Sequence, residues 1–419
     1  MTTTLVKRPA RTQPPTVERT QLTIAEPPAR SQQGAGMAGI GMIVMPVMSG
    51  VGSLTVAVTQ RGRPIMVIAA CLFLVGSIAV GAIMLIGQRS GSKRAEREGR
   101  ERYLDYIEDL RHAVRDQIFS QRTEQAWRYP GPEQYIDVCR DDRRRWERRV
   151  HHEDFLALRL GTGVVPLASG LTMDADTGPL NQFDPVCLQS AKELRARYAT
   201  LPDQPIVCDL RPLSRVSVLA EPQLARHLAT TLALQVSCLH SPNDVQLAIV
   251  RSDAAADAWD WFKWLPHTQH PAMLDGDLPA RLVTDGVPAM QELLEPELEA
   301  RLERHQRARG SDAAPPQHLV VIVDGDGLPA HQHLASPDSG VTLAALGVHV
   351  ISLLGTRRDE PDAVDDRITV TSDGSVTLAS RVEAFTLDPL QPGVERVVAR
   401  QLSALRLTVD DVEDGTLDH

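Results

Sequence analysis

The residues best placed to do chemistry close an apolar run: in LVVIVDGD, Asp324 and Asp326 follow five aliphatic residues. A carboxylate at the end of a buried strand can hold magnesium through water, next to the phosphates of a nucleotide. Such a site also needs a strand, a GxxxxGK[ST] loop and a helix. Backbone N–H groups freed by glycine wrap the phosphates, and a lysine reaches their outer oxygens. The equivalent place here reads RVSVLAEPQLARHLATTLAL, with only Ala220, Glu221 and Pro222 between strand and helix. It has no glycine and no lysine, Pro222 lacks an N–H, and Glu221 sets a negative charge where phosphate would lie. Glutamate suits a helix N-terminus but repels an anion. No catalytic or nucleotide-binding residue is therefore expected, and Asp324 is expected to cap the strand end or bond to a neighbouring loop.

The other reactive side chains have plainer readings. His267 with His270, and His331 with His333, could reach a metal, but neither set has a nearby cysteine or a carboxylate at ligand spacing, so surface or packing roles are expected and no metal. His151 and His152 are expected to be exposed at a joint between segments. Trp259, Trp261 and Trp264 could stack on bases, yet their helix reads as core packing or a subunit contact. Neither GxSxG nor HExxH occurs. Five cysteines without CxxC spacing favour reduced thiols over a disulfide or zinc framework.

The elements that must position these groups are strands alternating with helices. Apolar runs occur at 206–210, 215–219, 245–250, 318–324 and 347–354, with helical patterns at 222–239, 254–264 and 290–309. Strands rich in Val, Ile and Leu between helices predict an α/β domain over residues 154–407, with a largely parallel sheet covered on both faces. An acidic, linker-like tail follows at 408–419.

The N-terminal part of the 419-residue chain reads differently. Residues 37–58 and 64–86 carry no charge, each enough for the roughly 20 residues that cross a bilayer, and predict a transmembrane hairpin over 37–87. A cleaved signal peptide fits poorly, because a 36-residue polar arm comes first and a second apolar stretch follows at once. Basic residues flank the pair on both outer sides, so both ends are expected in the cytoplasm and the chain as a multi-pass protein of the inner membrane. With no ionisable residue at depth, the spans read as an anchor. The arm, residues 1–36, reads as flexible. Residues 88–153 predict a helical stalk, with Tyr103, Ile107, Leu110 and Val114 on one seam. The run RDDRRRWERR at 140–149 reads as a solvated or partner-facing surface. A net charge of −10 argues against a nucleic-acid translocating channel, which needs phosphate-neutralising cations, so no nucleic acid is expected as a partner.

Several pieces together resemble a known family. LVVIVDGD resembles the Walker B end of a P-loop NTPase, and LGVHVISLLGTRRDEP has the shape of the next core strand in FtsK/SpoIIIE-type ATPases. CLHSPNDVQLAIV, AWDWFKWLPH and DFLALRLGTG complete a resemblance, from Met37 onward, to the membrane ATPase of type VII (ESX) secretion systems, conserved component C. The resemblance implies a first, degenerate ATPase-like domain, with Asp324 and Asp326 as Walker B remnants and Ala220, Glu221 and Pro222 in the Walker A place. Gly325 stands where an active motor commonly carries the glutamate that orients the attacking water. ATP and magnesium belong to downstream domains of the family, and this chain, though its family is an ATPase, is expected to be inactive on its own. The implied role is an anchoring and coupling portion of a protein-export motor, in a hexameric assembly with components B, D and E and touching secreted proteins only indirectly. The alternative is a working membrane-anchored NTPase or DNA translocase.

Overall fold

The computed structural model describes residues 3–16, 20–30, 48–49, 51–52, 64–173, 182–307 and 317–408. They form two compact units, one of residues 1–17, 119–166 and 200–419, the other of residues 18–118 and 167–199.

The larger unit is built on a ten-stranded sheet. Its strands are β3 (Ala157–Pro166), β5 (Thr200–Asp209), β6 (Arg215–Leu219), β7 (Val245–Val250), β10 (Val283–Thr284), β11 (His318–Asp324), β12 (Val348–Leu354), β13 (Asp366–Val370), β14 (Ser375–Leu378) and β15 (Phe385–Leu387). Their order is β10-β7-β11-β12-β6-β13-β14-β15-β3-β5. From β10 to β13 every pairing is parallel. From β13 to β5 every pairing is antiparallel. The expected largely parallel sheet is therefore corrected to a mixed one. The cause is local: after β13 the chain reverses at Gly374, whose φ of +79° only glycine adopts freely, and a hairpin can only pair antiparallel.

The parallel half follows from residue type. β7 is buried at every position, and β11 and β12 nearly so, because both faces are covered. Val320 and Ile322 share one core with Leu228 and Leu232 of helix α4 (Pro222–Leu239), while Leu319, Val321 and Val323 share another with Met290, Leu294 and Leu298 of α5 (Val287–Arg307). The period of two along β11 thus sends alternate side chains to opposite layers. Helix α6 (Val394–Ser403) adds Val398 and Leu402 to the first core.

Within the antiparallel half, Gly161 of β3 lies opposite Leu387 of β15. A Cβ there would overlap the Thr386 carbonyl and press on the Phe385 ring. Gly161→Ala is therefore expected to cost about 1–3 kcal/mol, as overpacking does, seen as a lower urea midpoint. Gly99→Ala, whose Cβ meets nothing within 4 Å, should be neutral or slightly stabilising in its helix.

The first residues of the chain join this unit. Strand β1 (Thr4–Val6) pairs in parallel with β16 (Leu405–Leu407), with Thr4 beside Leu405 and Val6 beside Leu407. Arg8 then pairs with Asp244, and Arg11 with Asp154.

The smaller unit contains most of helix α1 (Pro64–Arg128), β2 (Leu22–Ile24) paired in parallel with β4 (Leu171–Met173), and α3 (Pro185–Tyr198). Tyr103, Ile107, Leu110 and Val114 are buried along α1. The Tyr103 hydroxyl donates to the Ala25 carbonyl at 2.8 Å, and Arg100 bridges to Asp184, which also caps α3.

Two further expectations are corrected. Among the described residues no helix is long and apolar enough to cross a membrane, which overturns the hairpin over 37–87 and, with it, the multi-pass inner-membrane placement. Most of 37–58 lies outside the described residues. The run 64–86 is not a bounded element, since nothing breaks the backbone after Ile86 and the 65-residue helix continues through charged sequence to Arg128. The absence of charge marks composition, not an element's end. The basic run at 140–149 is a solvated surface only in its first part, where residues 140–143 are exposed. Helix α2 (Tyr135–Arg140) stops there, Trp146 takes a φ of +59°, and Glu147 and Arg148 are buried. Backbone N–H groups of Trp146 and Arg148 bond to the carbonyls of Cys238 and Leu239, while Arg148 donates to the Ala157 carbonyl at 2.8 Å. These bonds compensate the burial of a charge that composition alone assigned to water.

Candidate functional site at the carboxyl ends of the parallel strands

In open α/β sheets ligands sit beyond the carboxyl ends of the parallel strands. There a cavity of about 290 Å³ is lined by Ala220 and Pro222 after β6, by Asp324, Gly325 and Asp326 after β11, and by Ser352 of β12. His331 and His333 also line it, on the long loop that follows. Sequence position and fold thus bring the two halves of the expected degenerate site to one place.

What fills the carboxylate's coordination is not a metal but an arginine. Asp324 is almost fully buried, and its Oδ2 accepts from Arg226 Nε at 2.6 Å and from the Trp259 indole N–H at 2.8 Å. Arg226 lies one turn into α4, so its guanidinium returns to the strand end and also pairs with Asp326 at 2.7 Å. Burial opposes the Arg226 charge, but the hydrogen bonds it donates to Asp324 and Asp326 outweigh it and hold its pKa above the ordinary value. An arginine that bridges Asp324 and Asp326, with a buried indole donor on the same Asp324 oxygen, sets a fixed positive charge and competing protons where a hard cation would need free carboxylate oxygens.

The phosphate side is equally closed. The Ala220 N–H is spent on the Leu354 carbonyl at 3.1 Å, Pro222 has none, and Glu221 makes no side-chain cap. Gly325 is packed so that an added Cβ would sit 2.7 Å from the Leu353 carbonyl, so no glutamate fits where a water-orienting base would stand. Gly327, at φ +76°, is held by Ser252, whose hydroxyl donates to the Asp326 carbonyl at 2.7 Å. The acidic lining carries Asp359 as well. These residues do not fit magnesium–nucleotide.

Sequence reasoning located Asp324 and the Ala220–Pro222 gap, but missed Arg226 and the function of Trp259. Trp259 and Trp261 are buried, with Phe262 edge-on to both. Of the histidines, His267 is fully buried, its Nε2–H donating to the His240 carbonyl at 2.8 Å, and His331 is exposed with a φ of +65°. Among the described residues no group of three or more His, Cys, Asp or Glu is arranged to hold a metal ion.

No family model matches the chain. Among characterised proteins it is 27% identical over 375 residues to the ESX secretion system protein EccC of Thermomonospora curvata, covering 88% of this chain and 27% of that protein. It is 29% identical over 337 residues to the ESX-4 secretion system protein EccC4 of Mycobacterium tuberculosis H37Rv, covering 80% of this chain and 24% of that one. Identity to the ESX-3 protein EccC3 of Mycobacterium tuberculosis CDC 1551 is 31% over 255 residues, or 60% of this chain and 19% of that protein. Among solved structures, the cytoplasmic domain of the Thermomonospora curvata type VII secretion ATPase EccC superposes with a TM-score of 0.38 at 18% identity, covering 61% of this chain and 32% of that one. Over most of its length the chain is thus a homologue of component C of type VII (ESX) secretion systems, spanning about a quarter of the length of the first two of these relatives.

Proposed function

We propose that this chain is a nucleotide-independent coupling element of a type VII secretion motor, an ATPase-like domain that passes force or position between its neighbours without turning over ATP. The observation that carries this reading is the Arg226–Asp324 pair, which replaces a metal with an internal cation. An ion pair joining the strand end to the helix after the missing phosphate loop makes the two move together, as a force-transmitting part requires. The homology to component C supports a place in the motor, with conserved components B, D and E as partners and a hexameric assembly as its setting.

Calorimetry of the whole chain with magnesium–ATP is expected to show no binding tighter than about millimolar. Asp324→Asn should leave co-purification with components B, D and E intact. A micromolar dissociation constant that Asp324→Asn abolishes would mean that the domain is a working nucleotide site.

A further inference from the structure

Two cysteines that the sequence gives no reason to pair meet in the larger unit. Cys139 lies on helix α2 (Tyr135–Arg140) and Cys238 near the end of α4, 99 residues on. Their sulfurs are 2.7 Å apart, about 0.7 Å beyond the disulfide bond length of about 2.0 Å. Both side chains are buried and both thiols are free. The backbone around them is fixed: the Cys238 carbonyl accepts from the Trp146 N–H at 2.8 Å, the Ser237 carbonyl from the Trp146 indole at 2.9 Å, and the Cys139 carbonyl from Arg145 at 3.2 Å. Little movement separates the open pair from a bond.

We propose that Cys139 and Cys238 form an oxidative modification site, which closes to a disulfide by exchange with a small-molecule disulfide and locks α2 to the carboxyl end of α4. In the first step one cysteine gives up its proton and its thiolate attacks a sulfur of the oxidant, releasing one oxidant thiolate and leaving a mixed disulfide. In the second, the other cysteine loses its proton and attacks the protein sulfur of that mixed disulfide, expelling the second oxidant thiolate. Two protein thiols are oxidised, one disulfide is reduced to two thiols, and the two protons pass to the departing thiolates. Both cysteines belong to one core, and Cys139 is the entry point because its six-residue helix can open locally, whereas Cys238 is fully buried in the 18-residue α4. The 2.7 Å approach to Cys139 suits Cys238 to the second, intramolecular step. The other cysteines offer no competing internal bond: Cys71 is exposed on α1, where exchange stops at a mixed disulfide, and burial pushes the thiols of Cys187 and Cys208 up to about 11 and about 12. The lock would fasten the segment following the long helix to the helix that carries Arg226.

The test uses the full chain with glutathione disulfide, kept well below the thermal midpoint until the thiol count is constant. Closure should consume two of the five thiols, beyond any glutathione adduct on the exposed Cys71, and non-reducing peptide mapping should show one internal linkage, Cys139 to Cys238. Cys139→Ser and Cys238→Ser should each prevent any internal linkage, and the wild-type map stands even where a variant folds poorly. The same oxidation in denaturant should give mixed pairings, which distinguishes native closure from random exchange. Five free thiols at the endpoint, glutathione adducts without the linked peptide, or the mixed pattern under native conditions would each overturn the proposal.

Discussion

Arg226→Ala is expected to lower the unfolding free energy by about 3–5 kcal/mol, the cost of removing one partner from a buried ion pair. The Asp324 side chain is only 2% exposed. Without the guanidinium its carboxylate keeps the Trp259 indole at 2.8 Å and the Asp326 N–H at 3.3 Å, neither of which carries a compensating charge. Urea denaturation of parent and variant measures the loss. The double change Arg226→Met with Asp324→Leu should recover much of it, because the destabilisation comes from an uncompensated charge and not from a missing contact. The variant also separates structural from nucleotide roles. It frees the carboxylate yet restores none of the donors absent from Ala220 to Pro222, so it should still bind no magnesium–ATP. Unchanged stability would remove the ion pair from its central place.

Stability is expected to fall by at least about 3 kcal/mol between about pH 7.5 and 5.5, an amount that the fully buried His240 and His267 supply and to which His152, His318 and His349, also held below their ordinary values by burial, add. His240 accepts the Leu156 N–H on Nε2 at 3.0 Å and so is neutral, while His267 donates to the His240 carbonyl. Burial pushes His267 down to about 4, and His240 well below its ordinary value with the Arg148 charge assisting. The unfolded chain protonates both near pH 6.5, but the folded state does not. As pH drops below 6.5 the unfolded state therefore binds more protons, and each histidine removes about 1.4 kcal/mol per pH unit. The His267 contribution levels off near its folded value. A second loss belongs to stronger acid. Burial raises the Asp154 carboxyl, but the Arg11 hydrogen bonds and the Arg148 and Arg11 charges overrule it, down to about 2. That stability is present above about pH 4 and is lost as pH falls towards 2. Urea midpoints across this range, with His267→Phe expected to flatten the first decline, check the assignment; a flat profile in the parent would contradict it.

What could be read in advance was what depends on neighbours in sequence. The period along β11 and the turn-free run ending at Asp324 fix a buried strand, and the absence of glycine and lysine at Ala220–Pro222 is visible in single residues. Arg226 was not legible, because its value comes from a carboxylate 98 residues away and from the twist that returns α4 over the strand ends. The antiparallel half was missed for a related reason. β14 and β15 are short and follow one glycine turn, while β3 and β5, ten residues each, pair across the intervening residues 167–199, and no local periodic signal sets either direction. Arg148 misled in the opposite way, since a basic run suggests water, whereas pairing with Asp154 and bonds to the Arg128 and Ala157 carbonyls explain its burial. The uncharged stretch at 64–86 gave a count of residues, which says nothing about where hydrogen bonding along a helix ends.

The pairing of Thr4–Val6 with Leu405–Leu407 has a consequence for how the protein is made. The two strands are about 400 residues apart in the chain, so at about 5–20 residues per second the first waits some 20–80 s for the second to leave the ribosome. Through that interval Thr4–Val6 presents open edge groups, and Arg8 and Arg11 await Asp244 and Asp154, which emerge sooner. The clasp therefore closes later in synthesis than the Arg8–Asp244 and Arg11–Asp154 pairs, and it joins the first strand of the unit to one far along the chain in a way that no local element does.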